Sequence, residues 1–83
     1  MLHDVVSAKI VGNYKIEMCF DDGHKGIVDF HRYLSLGGVF NYFSDLYFFE
    51  NFKIDNDLGT LVWGDGLVDV APETLYDLAY ASP

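Results

Sequence analysis

Three acids recur at even spacing in the stretch VWGDGLVDVAPETLYDLA, Val62 to Ala79: Asp65, Asp69 and Glu73. Carboxylates set four residues apart, beside glycines and a tryptophan, are residues that could bind a metal or form a general acid–base pair. The local sequence gives each of them structural work instead. Asp65-Gly66 is a two-residue hairpin signal. Turning the chain there places Trp63 opposite Val68 and Leu61 opposite Val70, all on one buried face, with Asp65 at the tip. A short strand then covers 67–70. Pro72 stands at the first helical position, where its missing N–H costs nothing. Glu73 lies in the first helical turn, where its charge meets the positive end of the helix dipole. Asp69 ends a strand and Glu73 opens a helix, so nothing in the sequence holds the two around a pocket. Structural roles are therefore assigned to Trp63, Gly66, Asp69, Pro72, Glu73 and Tyr76.

The other residues with chemical potential lack partners at suitable spacing. His3, His24 and His31 could join aspartates around a metal, but no H-E-x-x-H, C-x-x-C or complete calcium loop is present. DNDLG, Asp55 to Gly59, begins like a calcium loop and lacks the rest. Cys19 as a nucleophile would need a nearby base and a lowered pKa. Strand alternation puts it opposite the core face, where a small filler residue is the simpler reading. Neither the glycine pair at 37–38 nor GDG at 64–66 matches a phosphate-binding loop. No catalytic, cofactor-binding or metal-binding residue is assigned and no cofactor is expected. The balance is against an enzyme.

Composition narrows the function further. The chain has 83 residues and a formal charge of −8, enough for one domain, 1–83, that buries about 60% of its unfolded surface. Lys9, Lys15, Lys25, Arg32 and Lys53 are scattered along the sequence, whereas nucleic-acid binding needs a clustered basic surface. No apolar run approaches the ~20 residues that span a bilayer. The N-terminal residues lack the pattern of a signal peptide, and a single cysteine cannot form an internal disulfide. The expectation is a cytoplasmic protein that binds neither nucleic acid nor membrane by itself.

The elements follow from periodicity. Residues 5–11 and 14–20 read as strands. Tyr14, Ile16, Met18 and Phe20 form one face of the second, and Val6, Ala8 and Ile10 the matching face of the first. A three-residue loop at Val11-Gly12-Asn13, with Asn13 left-handed, would set Ile10 opposite Tyr14 and Ala8 opposite Ile16. Asp22-Gly23 turns the chain into a third strand at 25–30. Phe30, Tyr33 and Leu34 then adopt helical spacing, ended by Gly37-Gly38. Helical pieces follow at 39–43 and 45–50, the latter capped by Ser44-Asp45. Strands resume at 52–55 and 60–63. Leu75, Leu78 and Ala79 form the apolar stripe of a last helix. The fold class is α+β with antiparallel pairing, in the order β-β-β, short helices, β-β-β, α, the C-terminal helix packed on the sheet.

Several of these residues carry a family resemblance. Y-x-I-x-M-x-F-x-D-G (Tyr14 to Gly23), VDF (Val28 to Phe30), the aromatic section ending in FKID, and W-x-x-G-x-x-D-x-APE-x-LY (Trp63 to Tyr76) resemble a bacterial domain of unknown function, the family numbered 2442. Many relatives have Pro-Asn after the tryptophan, where this chain has Gly64-Asp65. The resemblance implies a small α+β domain and no established activity. Some relatives carry an added helix-turn-helix domain, which this chain is too short to hold. Others look like partners of a neighbouring small protein in a toxin–antitoxin-like arrangement.

The feature in excess of structural need is VFNYFSDLYFFENF, residues 39–52. If Phe43, Leu46 and Phe49 face the core, then Tyr42, Tyr47 and Phe48 lie at least partly outside, and exposed aromatics mark interfaces. The functional expectation is a small acidic interaction or regulatory module, a homo-oligomer or a toxin–antitoxin-like partner. The alternative is a small-molecule- or metal-binding protein, or a minor enzyme, with its site at a subunit boundary. Bringing together two chains of charge −8 predicts self-association that strengthens with salt, whereas binding to a basic partner would weaken.

Overall fold

The computed structural model describes residues 3–81, with residues 80 and 81 described by backbone alone. Strands β1 (Val5–Gly12), β2 (Lys15–Phe20) and β3 (Lys25–Asp29) come first. Two 3-10 helices follow, His31–Ser35 and Gly38–Ser44, and then helix α1 (Leu46–Glu50). Strands β4 (Lys53–Asp55), β5 (Thr60–Trp63) and β6 (Val68–Asp69) lead into helix α2 (Pro72–Ala81). The chain is α+β, and its strands form two antiparallel sheets, β1-β2-β3 and β4-β5-β6. The Val5 N–H donates to the Gly59 carbonyl at 2.9 Å and joins the first sheet to the β4–β5 turn. No helix among the described residues is long and apolar enough to cross a membrane.

The first hairpin departs from the register expected of it. Ile10 pairs with Ile16 and Ala8 with Met18, and the register shifts between Ile10 and Gly12 and again between Val5 and Ser7. The left-handed turn residue is Tyr14, at φ 58°, rather than Asn13. A tyrosine holds that conformation because the rest of the fold grips its ring. Its hydroxyl donates to the Phe43 carbonyl at 2.8 Å and its ring lies 4.9 Å from that of Phe49. The irregularity near the start of β1 breaks the period of two, so Val5 is buried and Val6, expected inside, is exposed. The β2–β3 connection behaves as expected: residues 21–23 form a three-residue loop closed by Phe20 N–H to His24 O, with Gly23 left-handed at φ 87°.

The core lies between the two sheets. Ile16, Met18, Phe20 and Val28 enter from the first, Leu61, Trp63 and Val68 from the second, and Phe43 and Phe49 from the helical middle. Trp63 pairs with Val68, with Leu61 and Val70 buried alongside, and Asp65 (φ 57°) and Gly66 (φ 93°) form the exposed turn between β5 and β6. Helix α2 begins at Pro72 and buries Leu75 and Ala79. It packs so close to β3 that a methyl at Gly26 would sit 2.7 Å from the Ala79 carbonyl oxygen. A side chain at position 26 would push the helix off the sheet.

Trp63 is fully buried, its ring against those of Phe30, Phe43, Phe49 and Phe52, and its indole N–H donates to the Phe49 carbonyl at 2.7 Å. Trp63→Ala should lower stability by about 3–5 kcal/mol, the usual cost of emptying a core aromatic site. Asp65→Asn, at an exposed left-handed turn position that asparagine also tolerates, should change it by only a few tenths of a kcal/mol. Urea midpoints of the two variants test this ranking, and equal shifts would contradict it.

Candidate interaction surface

Residues 42–48 and the β5–β6 turn build one continuous aromatic surface. Its rigidity starts at Asp45, which caps α1: its carboxylate accepts the N–H groups of Tyr47 at 3.1 Å and Phe48 at 3.4 Å. The capped turn directs Phe49 into the core, and with about 100° of rotation per residue it sends Tyr47 and Phe48 elsewhere. Tyr47 is 77% exposed and Tyr42 50% exposed, and Phe48 is half-buried with its ring 5.3 Å from that of Tyr42. Phe48 also closes over the turn: a methyl at Gly64 would lie 3.0 Å from its ring and 3.3 Å from Leu67 Cβ. Leu67 is itself exposed, so the apolar surface runs from Tyr42 through Phe48 to Leu67.

Leu46, expected in the core, is exposed. Phe43 from the preceding 3-10 helix already fills the space beneath α1, with its ring 4.7 Å from Trp63 and 5.1 Å from Phe49. Three exposed acids belong to the helix and turn that build the surface: Asp45 caps α1, Glu50 ends it and Asp65 sits in the β5–β6 turn, and the nearest cation in sequence is Lys53, paired with Val62 on β5.

Of the residues given structural roles, Gly66 lies in the turn that borders this surface, and the others sit apart from it or beneath it. Trp63 is core and Gly66 completes the turn. Asp69 is exposed on β6, Pro72 is buried at the start of α2, and Glu73 is exposed in its first turn. Asp65, Asp69 and Glu73 do not converge as a set of metal donors among the described residues.

Tyr76 takes part in a second cluster. Its hydroxyl donates to Asp22 Oδ2 at 2.7 Å, and its ring stacks on His3 at 3.8 Å. His3 Nδ1 lies 3.5 Å from the same carboxylate oxygen. Asp22 Oδ1 accepts the His24 N–H at 2.9 Å. Donor atoms of His3, Asp21 and Asp22 fall within 4.8 Å of one another, the one trio of metal-ligand type among the described residues. Both oxygens of Asp22 are already taken by protein N–H and O–H groups, however, and all three side chains are solvated or half-solvated. What this geometry does is fasten the β2–β3 loop to α2. The link spans 54 residues, and no sequence motif connects its two ends.

The outward face of the first sheet carries a third feature. A shallow depression of about 230 Å³ is lined by Ser7, Ala8, Lys9, Glu17, Cys19 and Lys25. Cys19 is half-buried there, opposite the core face, as alternation requires.

A small acidic α+β domain with a preformed aromatic surface is the class that fold and site define. A family model described as a protein of unknown function, DUF2442, matches residues 5–81, and the chain belongs to this family. No curated protein and no solved structure matches it.

Two carboxylates are held below their usual pKa. The Tyr76 hydroxyl, then the His24 backbone N–H, lowers that of Asp22. The His31 backbone N–H lowers that of Asp29, and the His31 ring, with Nδ1 2.6 Å away, adds to it. A carboxyl depressed in the folded state adds stability that is present above its unfolded pKa and is lost as pH falls through its folded value. Stability should therefore decline below about pH 4. Tyr76→Phe removes the leading cause for Asp22, so its deficit against wild type should be present at about pH 7 and shrink by about pH 2.5. Urea midpoints at the two pH values check this. An equal deficit at both would mean that the hydroxyl does not act through Asp22 ionisation.

Proposed function

We propose that the chain is a small acidic interaction module of the cytoplasm that binds a protein through the Tyr42–Tyr47–Phe48–Leu67 surface. The observation that carries this reading is the high exposure of Tyr42 and Tyr47 on a segment whose neighbours Phe43 and Phe49 are completely buried. Binding with groups already held in place loses less side-chain entropy, and rigid aromatics are the usual anchors of protein interfaces. The exposed rings lie outside the depression on the first sheet, and three exposed acids accompany them, which suits a macromolecular surface better than a small-molecule pocket. Family resemblance supports a regulatory setting, with a neighbouring small protein as one form the partner could take, on analogy alone.

A photo-crosslinking amino acid at Tyr47 tests the reading in the native host. It should give a discrete protein adduct, to a second copy or to another chain, identified by mass spectrometry. The same group at Leu58, equally apolar and 50% exposed at the β4–β5 turn, should not give that adduct. Identical adducts from both positions, or none from Tyr47, would remove the aromatic surface as the binding site.

A further inference from the structure

Charge is not spread evenly over this acidic protein. Lys9 pairs across the strands with Glu17, Cys19 with Lys25, and Lys15 with Asp29, so all of these side chains share the outward face of the first sheet. Three of the five cations of the chain lie there, with only two of its thirteen carboxylates. Lys9 is 3.7 Å from Glu17, whereas no carboxylate approaches Lys15 or Lys25 within 4.0 Å among the described residues. The depression beside Cys19 opens in this face, flanked by the stems of Lys9 and Lys25. On the aromatic surface the pattern is reversed: its helix and turn carry three exposed acids, Asp45, Glu50 and Asp65, against one nearby cation in sequence, Lys53.

From these two surfaces we infer that the occupant of the aromatic surface is the lysine-bearing sheet face of a second copy of this chain, with Tyr47 entering the depression lined by Ser7, Lys9, Glu17, Cys19 and Lys25. The inference rests on the interaction reading above and names its partner. Two aromatic surfaces meeting face to face would set Asp45, Glu50 and Asp65 against the same three acids, and like charges brought together oppose association. The outward face of β1–β3 offers the opposite charge on the same molecule. Its lysine stems give an apolar wall and their ammonium groups a seat for a phenol ring and its acidic neighbours. Tyr47 is the most exposed large side chain of the aromatic surface and stands on a capped turn, so it reaches outward without rearrangement. Each copy then uses two different surfaces, a heterologous contact that propagates into a ring or an open chain. The attraction is between exposed charges, so it weakens with added salt. Net charge alone would suggest the reverse.

Analytical ultracentrifugation of the intact chain, with two variants, tests this. Wild type should self-associate, about tenfold more tightly at roughly 50 mM than at roughly 500 mM salt. Tyr47→Asp, and separately Lys9→Glu with Lys25→Glu, should each be monomeric, with circular dichroism showing both folded. Each variant keeps one intact surface, so mixing them should give a 1:1 dimer and nothing larger. A wild type that stays monomeric at every concentration and salt would overturn the inference, as would a mixture that stays monomeric. Assembly lost in Tyr47→Asp but intact in the lysine variant would overturn the lysine-bearing face as the seat and leave only the aromatic surface standing. Assembly unaffected by either variant would count against both.

Discussion

The structure depends on the ring cluster around Trp63. The indole sits where the helical middle of the chain meets the second sheet, and its N–H satisfies the Phe49 carbonyl at the end of a helix too short to be stable alone. Phe30, Phe43 and Phe49 pack on it from three consecutive segments. A chain of this size has little interior, and aromatics supply much buried area per residue. One cluster thus fixes both the second hairpin and the irregular segment that no hydrogen-bonded sheet supports.

The surface inherits its form from that cluster. Because Phe43 and Phe49 are drawn inward, the residues beside them in sequence are turned outward, and the Asp45 cap leaves them little freedom. Tyr42 and Tyr47 are exposed as a consequence of how the core is filled. The same geometry explains the fate of Leu46: Phe43 took the volume that a regular helix would have given it.

A net charge of −8 describes solubility and says little about local attraction. Scattered in sequence, Lys9, Lys15 and Lys25 are gathered on one face by antiparallel pairing, while the helix and turn of the aromatic surface carry Asp45, Glu50 and Asp65. Association of such a molecule is governed by which faces meet, because screening limits each charge to about 8 Å at physiological salt.

Much of this was legible in the sequence. Alternation in β2, the Asp22-Gly23 and Asp65-Gly66 turns, Pro72 at a helix start and the Asp45 cap are signals carried by residues within a few positions of one another. The α+β class, the order of elements and the burial of Trp63 followed from them. The sequence also marked Tyr42, Tyr47 and Phe48 as rings in excess of one small core. What it did not contain were choices made between distant residues. The first hairpin's register was decided by the grip of Phe43 and Phe49 on Tyr14, which overrode the preference of Asn13 for the left-handed turn. The exchange of Val5 for Val6 in the core came from an irregularity in β1 beside the bond from Val5 to Gly59. Leu67 joining Phe48, Asp22 joining Tyr76, and three separate lysines sharing a face are likewise products of chain crossing. Local signals report the conformation of a segment, and the packing of one segment on another exists only in the folded molecule.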